Sequence, residues 1–212
     1  MEQTSLGGEV SHWQAALALL GVGVLYLLLP SRLRLGPPWL ILLLVLLLLV
    51  PLNLARIQGH HGVSHWLSRT ATTLVTVAVA LSVVFLAIRV PAGKTAGSTL
   101  LQDSALLWSG NILVFALWYW EIDGGGPHHR RFGHYQSTDV AFPQFQQDPL
   151  HASEYWMPDF LDYLFLAFNT STAFSPTDTV VLSRRAKLLM MSQSLISLVA
   201  ISVLIARAIN TI

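Results

Sequence analysis

The chain has 212 residues, 53% of them hydrophobic and 11% charged, with a mean hydropathy of +0.57. A water-soluble domain carries roughly a quarter charged residues, so this composition excludes an ordinary soluble fold. A net charge of +1 leaves no electrostatic footprint for nucleic acid, and the lack of any cysteine rules out disulfides, thiolate catalysis and Cys-based metal sites.

Apolar runs long enough to cross a bilayer, about 17–25 residues, recur along the chain. The first is Trp13 to Leu29. It lacks a basic region before it and a small-residue cleavage site, and Arg32 and Arg34 follow it, so it reads as a retained helix rather than a signal peptide. The second, Trp39 to Ala55, is nearly pure Leu, Ile and Val; the third runs from Thr70 to Ile88. Tryptophans at 13, 39 and 66 stand at or just before the starts of these runs, where indole rings settle at headgroup level. No arginine ladder occurs at every third position, so no voltage sensor is expected. Residues 1–99 therefore read as a three-helix transmembrane scaffold. His60, His61 and His65 precede the third run with a spacing that lets two of them share a helical face, a weak candidate for Zn²⁺ or Ni²⁺.

The fourth run, Leu100 to Trp120, ends at Gly124-Gly125-Gly126-Pro127, which stops a helix. A segment rich in Gly, Pro, His and Gln follows over 121–157, long enough to be a working surface. Pro158-Asp159-Phe160-Leu161-Asp162 is a strong helix start, with Pro in the first turn and acidic groups at the positive end of the macrodipole. The helix expected over 158–170 is too short to span; by itself it is either an interfacial amphipathic helix or one that dips into the membrane. After it come Thr170, Ser171, Thr172, Ala173, Phe174, Ser175, Pro176, Thr177 and Asp178, a hydroxyl-rich hairpin reaching 179. Those hydroxyls either line a constriction or form a capped turn in which Asp178 caps the last helix. The fifth run, Leu188 to Ile209, lies within a helix expected over 182–210. It carries Gln193, Ser194 and Ser197, three and four residues apart, a polar face turned to a watery path or to hydrogen bonds between packed helices. Arg207 near its end is expected to snorkel.

The order of short helix, Thr/Ser hairpin ending in Asp, and long apolar helix resembles the pore module of tetrameric potassium channels. The resemblance covers residues 100–212: outer helix 100–120, extracellular loop 121–157, pore helix 158–170, filter-like hairpin 171–179 and inner helix 182–210. Against the Thr-Val-Gly-Tyr-Gly-Asp pattern of those channels the chain has Ala173-Phe174-Ser175-Pro176-Thr177-Asp178. Ser175 and Thr177 stand where glycine permits the left-handed backbone that aims carbonyls inward, and Pro176 fixes φ and removes a donor. The resemblance implies a homotetramer in the lipid bilayer and a path for monovalent cations, K⁺ or Na⁺. The altered filter implies weak K⁺ selectivity, or a non-conducting scaffold or sensor that keeps the pore fold.

The expected fold is thus an all-α membrane protein with five transmembrane helices, one re-entrant pore helix and a filter-like hairpin. No nucleophile–base pair or metalloprotease motif is present, so no enzymatic activity is expected. No Lys or Arg precedes the first run and two follow it, which puts the N-terminus outside the plasma (inner) membrane and, with five spans, the C-terminus in the cytoplasm.

Overall fold

The computed structural model describes residues 12–89, 97–132, 139–144, 156–172 and 179–209. Among them are seven helices and one two-stranded ribbon. Helix α1 covers His12–Leu28, α2 Leu40–Ile57, α3 His61–Arg89 and α4 Gly97–Ile122; short 3-10 turns occupy Ser31–Leu33 and Asp123–Gly125. After α5 (Pro127–Phe132) and strand β1 (Val140–Ala141), helix α6 spans Phe160–Thr172, strand β2 Val180–Val181 and α7 Arg184–Ile209.

Four of these helices are long and apolar enough to cross a membrane: Leu40–Ile57, Gly62–Arg89, a stretch from Gly97 and Arg184–Ala206. The chain has the build of an integral multi-pass membrane protein. Of the five spans expected from the sequence, these four match; the described apolar part of the first, Trp13–Leu28, is a shorter apolar helix that ends ahead of the turn at Ser31–Leu33, and residues 1–11 lie outside the described residues. Trp13, Trp39 and Trp66 are all exposed at helix ends, the arrangement of an aromatic belt.

Packing follows from side-chain size. Ala15, Ala18, Leu19 and Val22 of α1 meet Ile112, Val114, Phe115 and Ala116 of α4, with Val45 and Leu49 of α2 and Ala71, Val75 and Ala78 of α3 completing the cluster. Gly21 lies where an added Cβ would come within 3.3 Å of Leu113, and Gly23 where it would come within 2.9 Å of Leu42. These two glycines let α1 approach α4 and α2 closely, as small residues do between membrane helices. At the end of the bundle that holds the 29–40 connection, Arg32 pairs with the buried Asp103 of α4 at 2.5 Å, and Arg89 donates to the Arg32 carbonyl.

Helix α6 has 13 residues, about 20 Å of helix, against the ~30 Å of a hydrocarbon core. It starts at a reciprocal cap. Asp159 Oδ1 accepts from the backbone N–H of Leu161 at 2.8 Å and of Asp162 at 3.2 Å, while Asp162 Oδ2 accepts from Asp159 N–H at 2.8 Å. This is the capping-box geometry with Asp in the third position. Helix α7 starts on Ser183, whose hydroxyl accepts from Ala186 N–H at 3.1 Å. The starts expected at 158 and 182 thus each lie two residues further on, at Phe160 and Arg184. Positions 173–178, which include Ala173, Phe174, Ser175, Pro176, Thr177 and Asp178, lie outside the described residues, as do 90–96, 133–138 and 145–155.

Candidate functional site

Helix α6 lies between α4 and α7 and runs antiparallel to α4. At its start Phe160 and Tyr163 pack edge-on against Trp120, with ring centroids 5.9 and 5.7 Å apart. Two turns on, Phe168 meets Trp108, at 5.7 Å. At its end the Ser171 hydroxyl bonds that of Ser197, halfway along α7, at 2.6 Å. The helix therefore begins level with the Trp120 end of α4 and stops deep in the bundle. Periodicity alone left its depth open; these contacts set it.

The deep end is joined to its neighbours by polar groups. Gln193, fully buried, donates from Nε2 to the Ala167 carbonyl at 2.6 Å and accepts from the Tyr119 hydroxyl at 2.6 Å. Asn111 Nδ2 donates to Ser197 Oγ at 2.8 Å and to the Gln193 carbonyl at 3.1 Å. Ser194 donates to the Thr170 carbonyl at 3.2 Å, and Thr170 itself bonds back to Leu166. Thr172 bonds the Asn169 carbonyl. So Thr170, Ser171, Gln193, Ser194 and Ser197 form one network with Asn111 and Tyr119 of α4. Asn111 and Tyr119 had escaped notice in the sequence because their partners are some 70–90 positions away. Asn111 Oδ1 is buried without a hydrogen-bond partner.

A second polar layer closes the end of the bundle that holds Trp120. Asp123 is fully buried; its Oδ2 accepts from the Tyr163 hydroxyl at 2.7 Å and its Oδ1 from Val140 N–H at 3.2 Å. Arg130, also buried, donates to the carbonyls of Trp120 at 2.9 Å and Asp123 at 2.6 Å, and its guanidinium stacks 4.6 Å from the Trp120 ring centre. Val140 and Ala141 pair with Val181 and Val180, respectively. Beside the pair, Asp139 accepts a two-pronged bond from Arg185, 2.5 Å at each prong, and one from the Ser183 hydroxyl. The ribbon thus ties the segment after α5 to the chain just before α7.

Ser171 is level with Ser197 and β2 adjoins Arg185, twelve residues earlier on α7, about 18 Å along its axis. The chain descends as a helix and is back at this second layer by Thr179. The C-terminal end of α6, with its partial negative charge, faces the bundle's middle depth.

Beside this layer, Glu121 is 2% exposed; its Oε1 accepts a short hydrogen bond from the Ser68 hydroxyl and its Oε2 lies 3.4 Å from His65 Nδ1. Gly126, at φ +100°, brings its backbone against this pair: a Cβ there would meet His65 Cε1 and the Glu121 carbonyl, each at 3.2 Å. Of the metal candidates His60, His61 and His65, the last thus faces a carboxylate. Among the described residues no group of three or more His, Asp or Glu side chains could hold a metal ion. An acidic residue directly after a long apolar run was the available sequence signal for Glu121 and Asp123.

Helix α7 is the least covered span: 17% of its apolar stretch is buried within the chain, against 61% for α4. Leu188, Met191, Leu195, Leu198 and Ile205 are all more than half exposed, and with the exposed Ser202 they repeat every three and four residues. Comparison with protein-family models, with curated proteins and with solved structures found no match to this chain. What the fold itself defines is an all-α multi-pass membrane protein with a short helix inserted beside two of its spans.

Proposed function

We propose that the chain is the subunit of a homotetrameric, channel-like membrane protein, in which four copies of α6, residues 173–178 and α7 surround a path for monovalent cations. The observation that carries this reading is α6: a helix too short to span, which starts beside Trp120 and ends beside Ser197, with Thr179 and β2 back at the Trp120 end of the bundle. Non-helical backbone at membrane depth is tolerated where it is buried in protein or lines a cavity, and a ring of four supplies both. The exposed stripe of α7 supports it too. Its spacing is the 3.5-residue period with which helices supercoil around a common axis.

Selectivity between K⁺ and Na⁺ is weak in this reading, because Ser175, Pro176 and Thr177 replace the glycine-bearing backbone of a carbonyl filter. Asp178 near the mouth favours cations over anions. The second reading, a non-conducting scaffold or sensor with 121–157 as its binding surface, gains support from the hydrogen bonds that hold Gln193 and Ser197 inside their own chain. The face of α7 then left for a lumen is apolar, the kind of constriction that closes by dewetting.

Native mass spectrometry in nanodiscs, followed by liposome flux, tests both readings. The channel reading expects tetramers, flux of K⁺ and Na⁺ at similar rates, and a loss of cation preference in Asp178→Asn. Monomers or dimers only would sink it, while tetramers without flux would favour the scaffold. The orientation, with β1 and β2 outside the plasma membrane, expects Ser137→Cys to react with an impermeant thiol reagent on intact cells; labelling only after lysis inverts it.

A further inference from the structure

Outside this site, a groove of about 710 Å³ runs along one face of α3 and is also lined by Tyr26, Leu35 and Leu40. Its long wall is the stripe Trp66, Arg69, Thr73, Val77 and Leu81, so the groove runs parallel to the helix axis rather than across it. The wall is apolar except at one end. There the hydroxyls of Thr70 and Thr73 are already spent on the carbonyls of Trp66 and Arg69, and His65 is taken by Glu121. Arg69 is different: the residue is exposed, and among the described residues no carboxylate pairs with it.

Depth identifies the occupant. Arg69 and Arg89, the latter stacked on Phe85, are twenty residues apart on one helix, about 30 Å. That matches the hydrocarbon thickness of a bilayer, so the two arginines mark its borders. Trp66, 74% exposed one turn outside Arg69, sits where indole rings anchor at headgroup level. From Arg69 to Leu81 the groove descends about 18 Å, close to the ~15 Å of a single leaflet. A cation at headgroup depth above an apolar trough one leaflet long is complementary to one class of molecule.

We propose that this groove binds a phospholipid with an anionic headgroup, its phosphate against Arg69 and one acyl chain laid along Thr73, Val77 and Leu81. This site is separate from α6 and α7 and does not depend on the pore reading. The walls exclude a water-soluble anion as the natural occupant, because the trough below Arg69 offers a free phosphate nothing to bury.

The experiment is native mass spectrometry of the full chain from nanodiscs of equal phosphatidylglycerol and phosphatidylcholine. The unsubstituted protein is expected to retain phosphatidylglycerol preferentially. Arg69→Gln lowers that retention about fivefold, the effect of one cation near the headgroups, and Arg69→Lys restores most of it. Arg34→Gln leaves retention unchanged, since the Arg34 side chain serves the Leu27 and Leu29 carbonyls. Thr73→Trp, at an exposed position that can take the larger ring without unfolding the chain, fills the trough and expels both lipids. Equal retention of the two lipids, an unaffected Arg69→Gln, or displacement of lipid by glycerol phosphate would each overturn the proposal.

Discussion

Replacing Gln193 by Leu removes the centre of the network that holds α6 at depth. Two hydrogen bonds disappear, one from the Tyr119 hydroxyl and one to the Ala167 carbonyl, both 2.6 Å. Hydrogen bonds between membrane helices average about 0.6 kcal/mol, so their loss accounts for roughly 1.2 kcal/mol. A Tyr119 hydroxyl left buried without an acceptor adds about 1–3 kcal/mol. Together these set the expected destabilisation at about 2–4 kcal/mol. Tyr119→Phe alone strands the Gln193 oxygen and should cost a similar amount. The double variant removes both partners, so it should be more stable than the sum of the single changes by at least about 0.5 kcal/mol. Reversible unfolding in mixed detergent micelles, followed by tryptophan fluorescence, measures all three. Strictly additive losses, or a Gln193→Leu protein as stable as the parent, would refute the idea that this pair holds the helix.

Two further outcomes follow from the second polar layer. Asp139→Asn turns an ionic two-pronged contact with Arg185 into a single bond from the charged guanidinium to a neutral amide oxygen. The Arg185 side chain is 54% exposed but Asp139 is fully buried, so the loss should be about 1–3 kcal/mol, and hydrogen exchange at Val140 and Val181 should quicken while the middle of α4 stays protected. Burial, reinforced by the neighbouring Asp159 charge, raises the Asp162 carboxyl above its ordinary value of 3.8. A raised folded-state value favours the protonated acid, so its contribution to stability is fully present below pH 3.8 and is lost as the pH rises through the raised value. Unfolding measured across that window should show this decline in the parent, and Asp162→Asn should flatten it.

The apolar runs, their rough limits and the cap at the start of α6 were legible in the sequence because each depends on neighbours within a few positions. Length and hydropathy specify a span, and Pro158, Asp159 and Asp162 specify a helix start by themselves. The polar residues of α7 were visible too, but their partners were not. Only the approach of Asn111, Tyr119 and Ala167, distant in sequence, supplies the hydrogen bonds of Gln193. The same holds for Asp123, Asp139 and Glu121, whose partners Tyr163, Arg185 and Ser68 lie 40, 46 and 53 positions away in sequence. Local propensity is written into short stretches of chain, whereas the partner of a buried polar group is selected by the packing of whole helices. In a membrane that choice is forced, since a polar group turned to lipid costs several kcal/mol.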